Sequence, residues 1–267
     1  MRLNQYLLKQ IDKLSRRRSK EIIDMDEMRM FFHKNYVEKD TLIYRGIEDV
    51  SDRAVYFVKP KEHTRVSRNT ANYYTLLIDN SPRWSKYPKR SKSIICSTSR
   101  ETADLYGKVF VVIPKKGSSI GICPDNDIWA SFSKIDLANF GYVLNDIFNN
   151  TPNCIKNPNT IHELLKNFEI FDNYIKSISN NWSELDKFIK IDKTINSNFV
   201  SSLIDAILDE NMKTIDFIED TLDPEKNGFG LSKAGSFRIH GDYEVWTDGE
   251  SMLIPLALYK RFVYYDI

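Results

Sequence analysis

Three short motifs, far apart in the sequence, carry side chains that could do chemistry. The first is Tyr44-Arg45-Gly46, at the end of a run typical of a β-strand. The planar guanidinium of Arg45 can bind a phosphate or a carboxylate in a bidentate way that lysine cannot. Gly46 has no side chain, so the backbone could approach a ligand closely there. The motif therefore predicts either an anion-binding position or a surface ion pair made by the arginine.

The second motif, Ser97-Thr98-Ser99, follows a predicted strand and leads into a predicted helix. Ser99 is placed to cap this helix, with Thr102 at the position that Glu usually takes in a capping box. Capping accounts for one hydroxyl only. The hydroxyls of Ser97 and Thr98 could orient neighbouring side chains or bind a sugar.

The third motif, Asp242-Tyr243-Glu244, lies in the predicted last hairpin. Residues two apart on a regular strand point to the same face, so the carboxylates of Asp242 and Glu244 are predicted to lie side by side. Two like charges repel each other unless they are exposed or employed in a site. The motif therefore indicates either an acidic edge that discourages strand pairing or a pair of functional carboxylates.

The elements that must position these motifs follow an α+β pattern. β-Signals that are interrupted by about ninety helical residues and then resume predict one α+β core with a helical insertion. We therefore predict four segments: an N-terminal helical segment (1–40), the first half of the core (41–133), the insertion (134–226) and the second half of the core (227–267). Strands are predicted at 42–44, 54–58, 93–96, 109–113, 236–239, 242–246 and 252–254. Helices are predicted at 3–14, from 24 onward, at 69–78, from 99 towards 106, and at 137–148, 160–178, 182–191 and 199–222.

Composition excludes several classes of protein. The 38 Lys and Arg against 37 Asp and Glu leave a net charge of +1, which argues against a dedicated polyanion binder. With 42% hydrophobic residues, the chain is not disordered throughout. Its three cysteines have no CxxC spacing and its four histidines are scattered, so neither a disulfide framework nor a metal site is expected. No apolar run is long enough to cross a membrane. We expect a protein of the cytoplasm.

The order of the three motifs resembles that of the R-S-E class of mono-ADP-ribosyltransferases: an early Arg, a Ser-Thr-Ser at a strand end and a late acidic-x-Glu. Residues 244–255 are similar to the strand, turn and strand that begin at the family's catalytic glutamate, and residues 81–91 are similar to phage-encoded members. The resemblance covers about residues 40–132 and 228–262. It implies a split antiparallel sheet as the core of the fold.

The resemblance also implies an activity: cleavage of the nicotinamide–ribose bond of NAD and transfer of ADP-ribose to a macromolecule. Glu244 would stabilise the ribosyl cation and Ser97 would steady Glu244 by a hydrogen bond. Asp242 stands where family members usually have Glu or Gln, which leaves the acceptor and the balance between transfer and NAD hydrolysis open. Glu250 is the competing candidate for the essential carboxylate.

NAD is the implied cofactor, and no metal is implied. Tyr106 and Phe132 are candidates to stack on its nicotinamide ring, since such a site needs an aromatic side chain. The implied NAD-binding residues are Arg45, Gly46, Thr98, Ser99 and Tyr106.

The implied partner is a macromolecular acceptor, with a protein side chain favoured and nucleic acid kept as an alternative. In a phage-encoded, toxin-like enzyme the acceptor would be a host protein in the host cytoplasm. Two other functions stay open. The basic and aromatic residues of 83–92 are compatible with a nucleic-acid-binding module. The Asp at position 242 and the large insertion are compatible with a catalytically silent protein on the same scaffold.

Overall fold

The structure is a computed structural model that describes residues 25–48, 50–51, 53–65, 72–195 and 198–265. The predicted helix at 3–14 lies outside these ranges. Within these ranges the chain forms two compact units: the first takes its residues from 1–69, 87–127 and 228–267, and the second from 70–86 and 128–227. No helix within the described ranges is long and apolar enough to span a membrane.

The first unit is built on an antiparallel sheet of eight strands. Its strands follow the order β2-β8-β4-β1-β3-β7-β5-β6. The strands are β1 (Ile43–Ile47), β2 (Tyr56–Val58), β3 (Ile94–Ser97), β4 (Lys108–Pro114), β5 (Ser119–Ile122), β6 (Gly230–Lys233), β7 (Glu244–Thr247) and β8 (Ser251–Pro255). The α-helices are α1 (Met25–Asn35), α2 (Tyr73–Asn80), α3 (Arg100–Asp104), α4 (Leu137–Asn150), α5 (Ile161–Ser177), α6 (Trp182–Ile195), α7 (Phe199–Leu208), α8 (Thr214–Thr221) and α9 (Leu256–Tyr265).

The sheet is weakest at its middle, between β1 and β3. These two strands share a single register pair, Tyr44 opposite Ser97, whereas every other neighbouring pair shares three to five. The ladder therefore nearly ends there and divides the sheet into two halves of four strands. The predicted α+β class with an antiparallel sheet is confirmed.

Apolar residues cover both faces of this sheet. One core takes side chains from both halves, among them Ile43, Phe110 and Val245. On the other face, α1 and α9 pack residues such as Phe32 and Tyr259 against Val111 and its neighbours.

The second unit is helical and comprises α2 and α4 to α8. Each of the longer helices buries one apolar stripe, as Phe140, Phe168 and Phe188 illustrate at 1% exposure or less. α5 begins with a complete capping box, in which Thr160 and Glu163 satisfy each other's backbone N–H groups.

Some predicted elements are wrong in detail. The single helix predicted at 199–222 is two, α7 and α8, because Asn211 adopts a left-handed conformation with φ of 52°. The strand predicted at 236–239 is irregular: Ile239 donates its N–H to the side chain of Thr41 instead of entering a ladder. β5, β6 and α9 are not among the predicted elements. β5 and β6 are four residues long and each contains a glycine, which is depleted in strands. α9 is rich in helix-forming Leu, Ala, Lys and Arg, but it directly follows β8 in a segment whose pattern was interpreted as β.

Candidate active site

Beyond the single register pair of Tyr44 and Ser97 the ladder between β1 and β3 has a gap, and the side chain of Arg45 spans it. This residue directly follows Tyr44, the last point at which the two strands are in register. Its Nη1 donates a hydrogen bond of 2.8 Å to the carbonyl oxygen of Ile95 on β3. Burial lowers the pKa of the Arg45 guanidinium, and the positive charge of Arg65 also lowers it, whereas Glu244 raises it. Arg45 therefore lies within the electrostatic reach of both a second cation and the carboxylate of the third motif.

Ser97 and Glu244 lie directly opposite each other on β3 and β7. Side chains of directly opposed residues lie on the same face with their Cβ atoms about 5 Å apart. The hydrogen bond expected between them is not formed: Ser97 Oγ accepts a bond of 3.0 Å from the N–H of Ser99. The two side chains are thus brought together, but the carboxylate is held by other groups.

Glu244 is held through one carboxylate oxygen and through its backbone. Its Oε1 accepts a hydrogen bond of 2.7 Å from Nη2 of Arg90 and a contact of 3.7 Å from Sγ of Cys123. The N–H of Glu244 donates to the carbonyl of Asp125, and its carbonyl accepts from the N–H of Cys123. Glu244 is therefore a well-fixed carboxylate at the start of β7, with 15% of its side chain still exposed.

Arg90 contacts the carboxylate of Glu244 and is the residue of the candidate site that sequence reasoning missed. Its side chain is 1% exposed, and its guanidinium lies over the ring of Trp246 at 5.0 Å from the centroid. Trp246 is fixed in turn by a bond from its Nε1 to the carbonyl of Pro88. In the sequence Arg90 is one of the basic residues of segment 83–92, which was interpreted as compatible with nucleic-acid binding. The available signal was Trp246, which shares the face of Glu244 and offers a surface for a cation.

The other two hydroxyls of the second motif have structural partners. Oγ1 of Thr98 accepts from the N–H of Tyr243 at 2.8 Å and donates to the carbonyl of Gly241 at 2.8 Å. Thr98 thus fastens the segment that leads into Glu244. Ser99 caps α3 by accepting from the N–H of Thr102.

Gly46 is explained by close packing within the protein. A Cβ atom at this position would lie 1.9 Å from the carbonyl oxygen of Ala103 and 2.9 Å from Cβ of Tyr106. The end of α3 therefore sits directly on the backbone of β1. This packing accounts for the glycine without a ligand and brings Tyr106 towards the site.

Tyr106 is the aromatic candidate that stays accessible, with 43% of the residue exposed. Burial raises the pKa of its phenol, and the negative charges of Asp127 and Glu244 raise it further. Phe132, the other candidate, is a buried core residue of the second unit. Of the two aromatic candidates, Tyr106 is thus the one within electrostatic reach of Arg45 and Glu244.

The two acidic alternatives lie elsewhere. Asp242 is exposed and precedes β7, so the prediction that it shares a strand face with Glu244 is wrong. The reason is that the side chain of Thr98, and not a strand, takes the N–H of Tyr243. Glu250 follows the far end of β7 and lies within 4 Å of Lys59 and Lys115.

Neither aromatic residue of the basic segment 83–92 is placed for stacking on bases in the way predicted: Tyr87 stacks on Trp246, and Trp84 is buried. Trp84 is 4% exposed and donates its Nε1–H to the carbonyl of Leu222. Arg90 is equally buried.

Comparison with protein-family models, with curated proteins and with solved structures finds no match to this chain. Across the described residues, no three His, Cys, Asp or Glu side chains cluster in a way that could hold a metal ion.

Proposed function

We propose that this protein is an NAD-dependent ADP-ribosyltransferase that cleaves the nicotinamide–ribose bond and transfers ADP-ribose to a macromolecule. The observation that carries the proposal is the convergence of Arg45, Ser97 and Glu244, which are distant in sequence, at the gap between β1 and β3. The register of β3 and β7 pairs Ser97 with Glu244, and Arg45 reaches β3 from β1 through its hydrogen bond to the carbonyl of Ile95; both support a common location.

The groups at this location fit NAD. The guanidinium of Arg45 has five N–H donors, of which its bond to Ile95 uses one, and Arg65 adds a second positive charge nearby. Two cations that lie within electrostatic reach of each other favour binding of an anion, as the diphosphate of NAD would provide. Tyr106 offers an exposed ring for the nicotinamide.

The chemistry requires a fixed negative charge, and Glu244 supplies it. When NAD is bound, its nicotinamide leaves as a neutral base with both electrons of the C–N bond, so no proton has to be donated to it. Glu244 stabilises the oxocarbenium-like ribose that remains, as carboxylates do in glycoside hydrolysis. The acceptor nucleophile forms the new bond to C1′ and gives up its proton to solvent.

The test is incubation of the purified protein with NAD labelled in its adenylate part and a cell lysate. We expect transfer of label to a macromolecule and release of nicotinamide. Glu244→Gln should lower both by about 100-fold or more, because a preorganised charge is lost from the transition state.

Glu250→Gln is the matched control, since it removes the competing carboxylate from an exposed turn; it should keep its activity. If Glu250→Gln lost activity while Glu244→Gln kept full activity, the catalytic role would belong to Glu250 instead of Glu244. Release of nicotinamide without labelling of any macromolecule would indicate NAD hydrolysis instead of transfer.

A further inference from the structure

The Arg90–Glu244 contact has a geometry that restrains one carboxylate oxygen. Arg90 Nη2 and Cys123 Sγ both contact Oε1 of Glu244. Within the described part of the chain, no side chain donates a hydrogen bond to Oε2. The carboxylate is therefore fixed through one oxygen, and the second remains for a ligand.

Arg90 is itself held in place by its surroundings. It lies over Trp246, and the ring of Tyr87 stacks on the same indole with centroids 6.1 Å apart and planes at 20°. The Pro88 carbonyl accepts from Trp246, which ties the segment before Arg90 to β7. The indole ring of Trp246 and the carboxylate of Glu244 together fix the orientation of the Arg90 guanidinium.

We propose that Arg90 is a positioning residue: it fixes Oε1 of Glu244 so that Oε2 faces the ribose of NAD. This inference rests on the proposed function. It extends the constellation of Arg45, Ser97 and Glu244 by a fourth residue, which takes the role that the resemblance assigned to the serine hydroxyl.

A positioning role and a purely electrostatic role of Arg90 predict changes of opposite sign in kcat when this residue is replaced. A cation 2.7 Å from Glu244 weakens the attraction of the carboxylate for a developing ribosyl cation. If charge alone mattered, removal of Arg90 would raise kcat. If Arg90 positions the carboxylate, its removal lowers kcat, because a small misplacement of a reacting group is costly.

The experiment compares Arg90→Lys and Arg90→Met with Lys89→Met, an exposed cation in the same segment. Nicotinamide release gives kcat and KM, and calorimetric titration with NAD gives the number of binding sites. We expect Arg90→Lys to bind NAD at full stoichiometry with KM within about twofold of wild type and kcat lowered about 10- to 100-fold. Arg90→Met should be slower still, and Lys89→Met should match wild type.

Two results would overturn the inference while leaving the proposed function intact. The first is a kcat of Arg90→Lys that equals or exceeds that of wild type. The second is a loss of activity in Arg90→Lys that only matches its loss of NAD-binding sites. Should Arg90→Met not fold, Arg90→Lys decides. If wild type and Glu244→Gln both released nicotinamide from NAD no faster than a sample without protein, the proposed function would be rejected, and the inference with it.

Discussion

The ion pair between Arg90 and Glu244 should contribute measurably to stability, whether or not the protein is an enzyme. The side chains are 1% and 15% exposed and meet at 2.7 Å. Removal of one partner of a buried ion pair costs about 3–5 kcal/mol, because the other charge loses its counterion without regaining water. Since Glu244 keeps some exposure, we expect Arg90→Met to lower the free energy of unfolding by about 3 kcal/mol, the lower end of that range.

The assay is urea unfolding of Arg90→Met, Glu244→Met and the double variant. The double variant should be less destabilised than the sum of the singles, by about 0.5–3 kcal/mol, because it leaves neither charge buried alone. Lys190→Met is the matched control: Lys190 pairs with Asp186 at the same 2.7 Å, but on an exposed helix surface. We expect no measurable change there. If Arg90→Met lowered the free energy of unfolding by no more than Lys190→Met does, the reasoning would be refuted.

Three further predictions concern other parts of the chain. Gly46→Ala should cost at least about 3 kcal/mol in urea unfolding, because the new Cβ meets the backbone of α3; a near-neutral result would contradict the packing. Burial acts to raise the pKa of Asp223, but hydrogen bonds from the Lys226 N–H and from Arg83 outweigh it and lower this pKa. The resulting stability is present above about pH 4 and lost as the pH falls through the lowered value, so the melting temperature of Asp223→Asn should fall less than that of wild type between pH 5 and pH 2.5. Burial raises the pKa of Cys96 to about 12, so this thiol should resist iodoacetamide at pH 8 until the protein is unfolded, as mass spectrometry can check.

The sequence predicted those parts of the site that depend on local pattern. β3 and the start of α3 follow from a short apolar run and an N-capping serine, which local energetics largely determine. The order of the motifs then led to Arg45, Ser97 and Glu244. Their convergence depends on strand register, which the motifs do not encode.

Arg90 could not be predicted in the same way, because its role arises from burial. Arginine in a basic segment is usually exposed, whereas tertiary packing over the ring of Trp246 buries Arg90. The same holds for Thr98, whose bonds to Gly241 and Tyr243 join positions more than 140 residues apart. Composition and periodicity report on neighbours in sequence and give no information on such contacts.

The pairing of β3 with β7 has a consequence for how the protein is made. Arg90 and Glu244 are separated by 154 positions. At ribosomal rates of about 5–20 residues per second, Arg90 is synthesised about 8–30 s before Glu244. A nascent or truncated polypeptide that stops before Glu244 therefore lacks the proposed catalytic group. A cell that makes this protein would therefore meet the proposed activity only after translation has passed β7 and this strand has paired with β3.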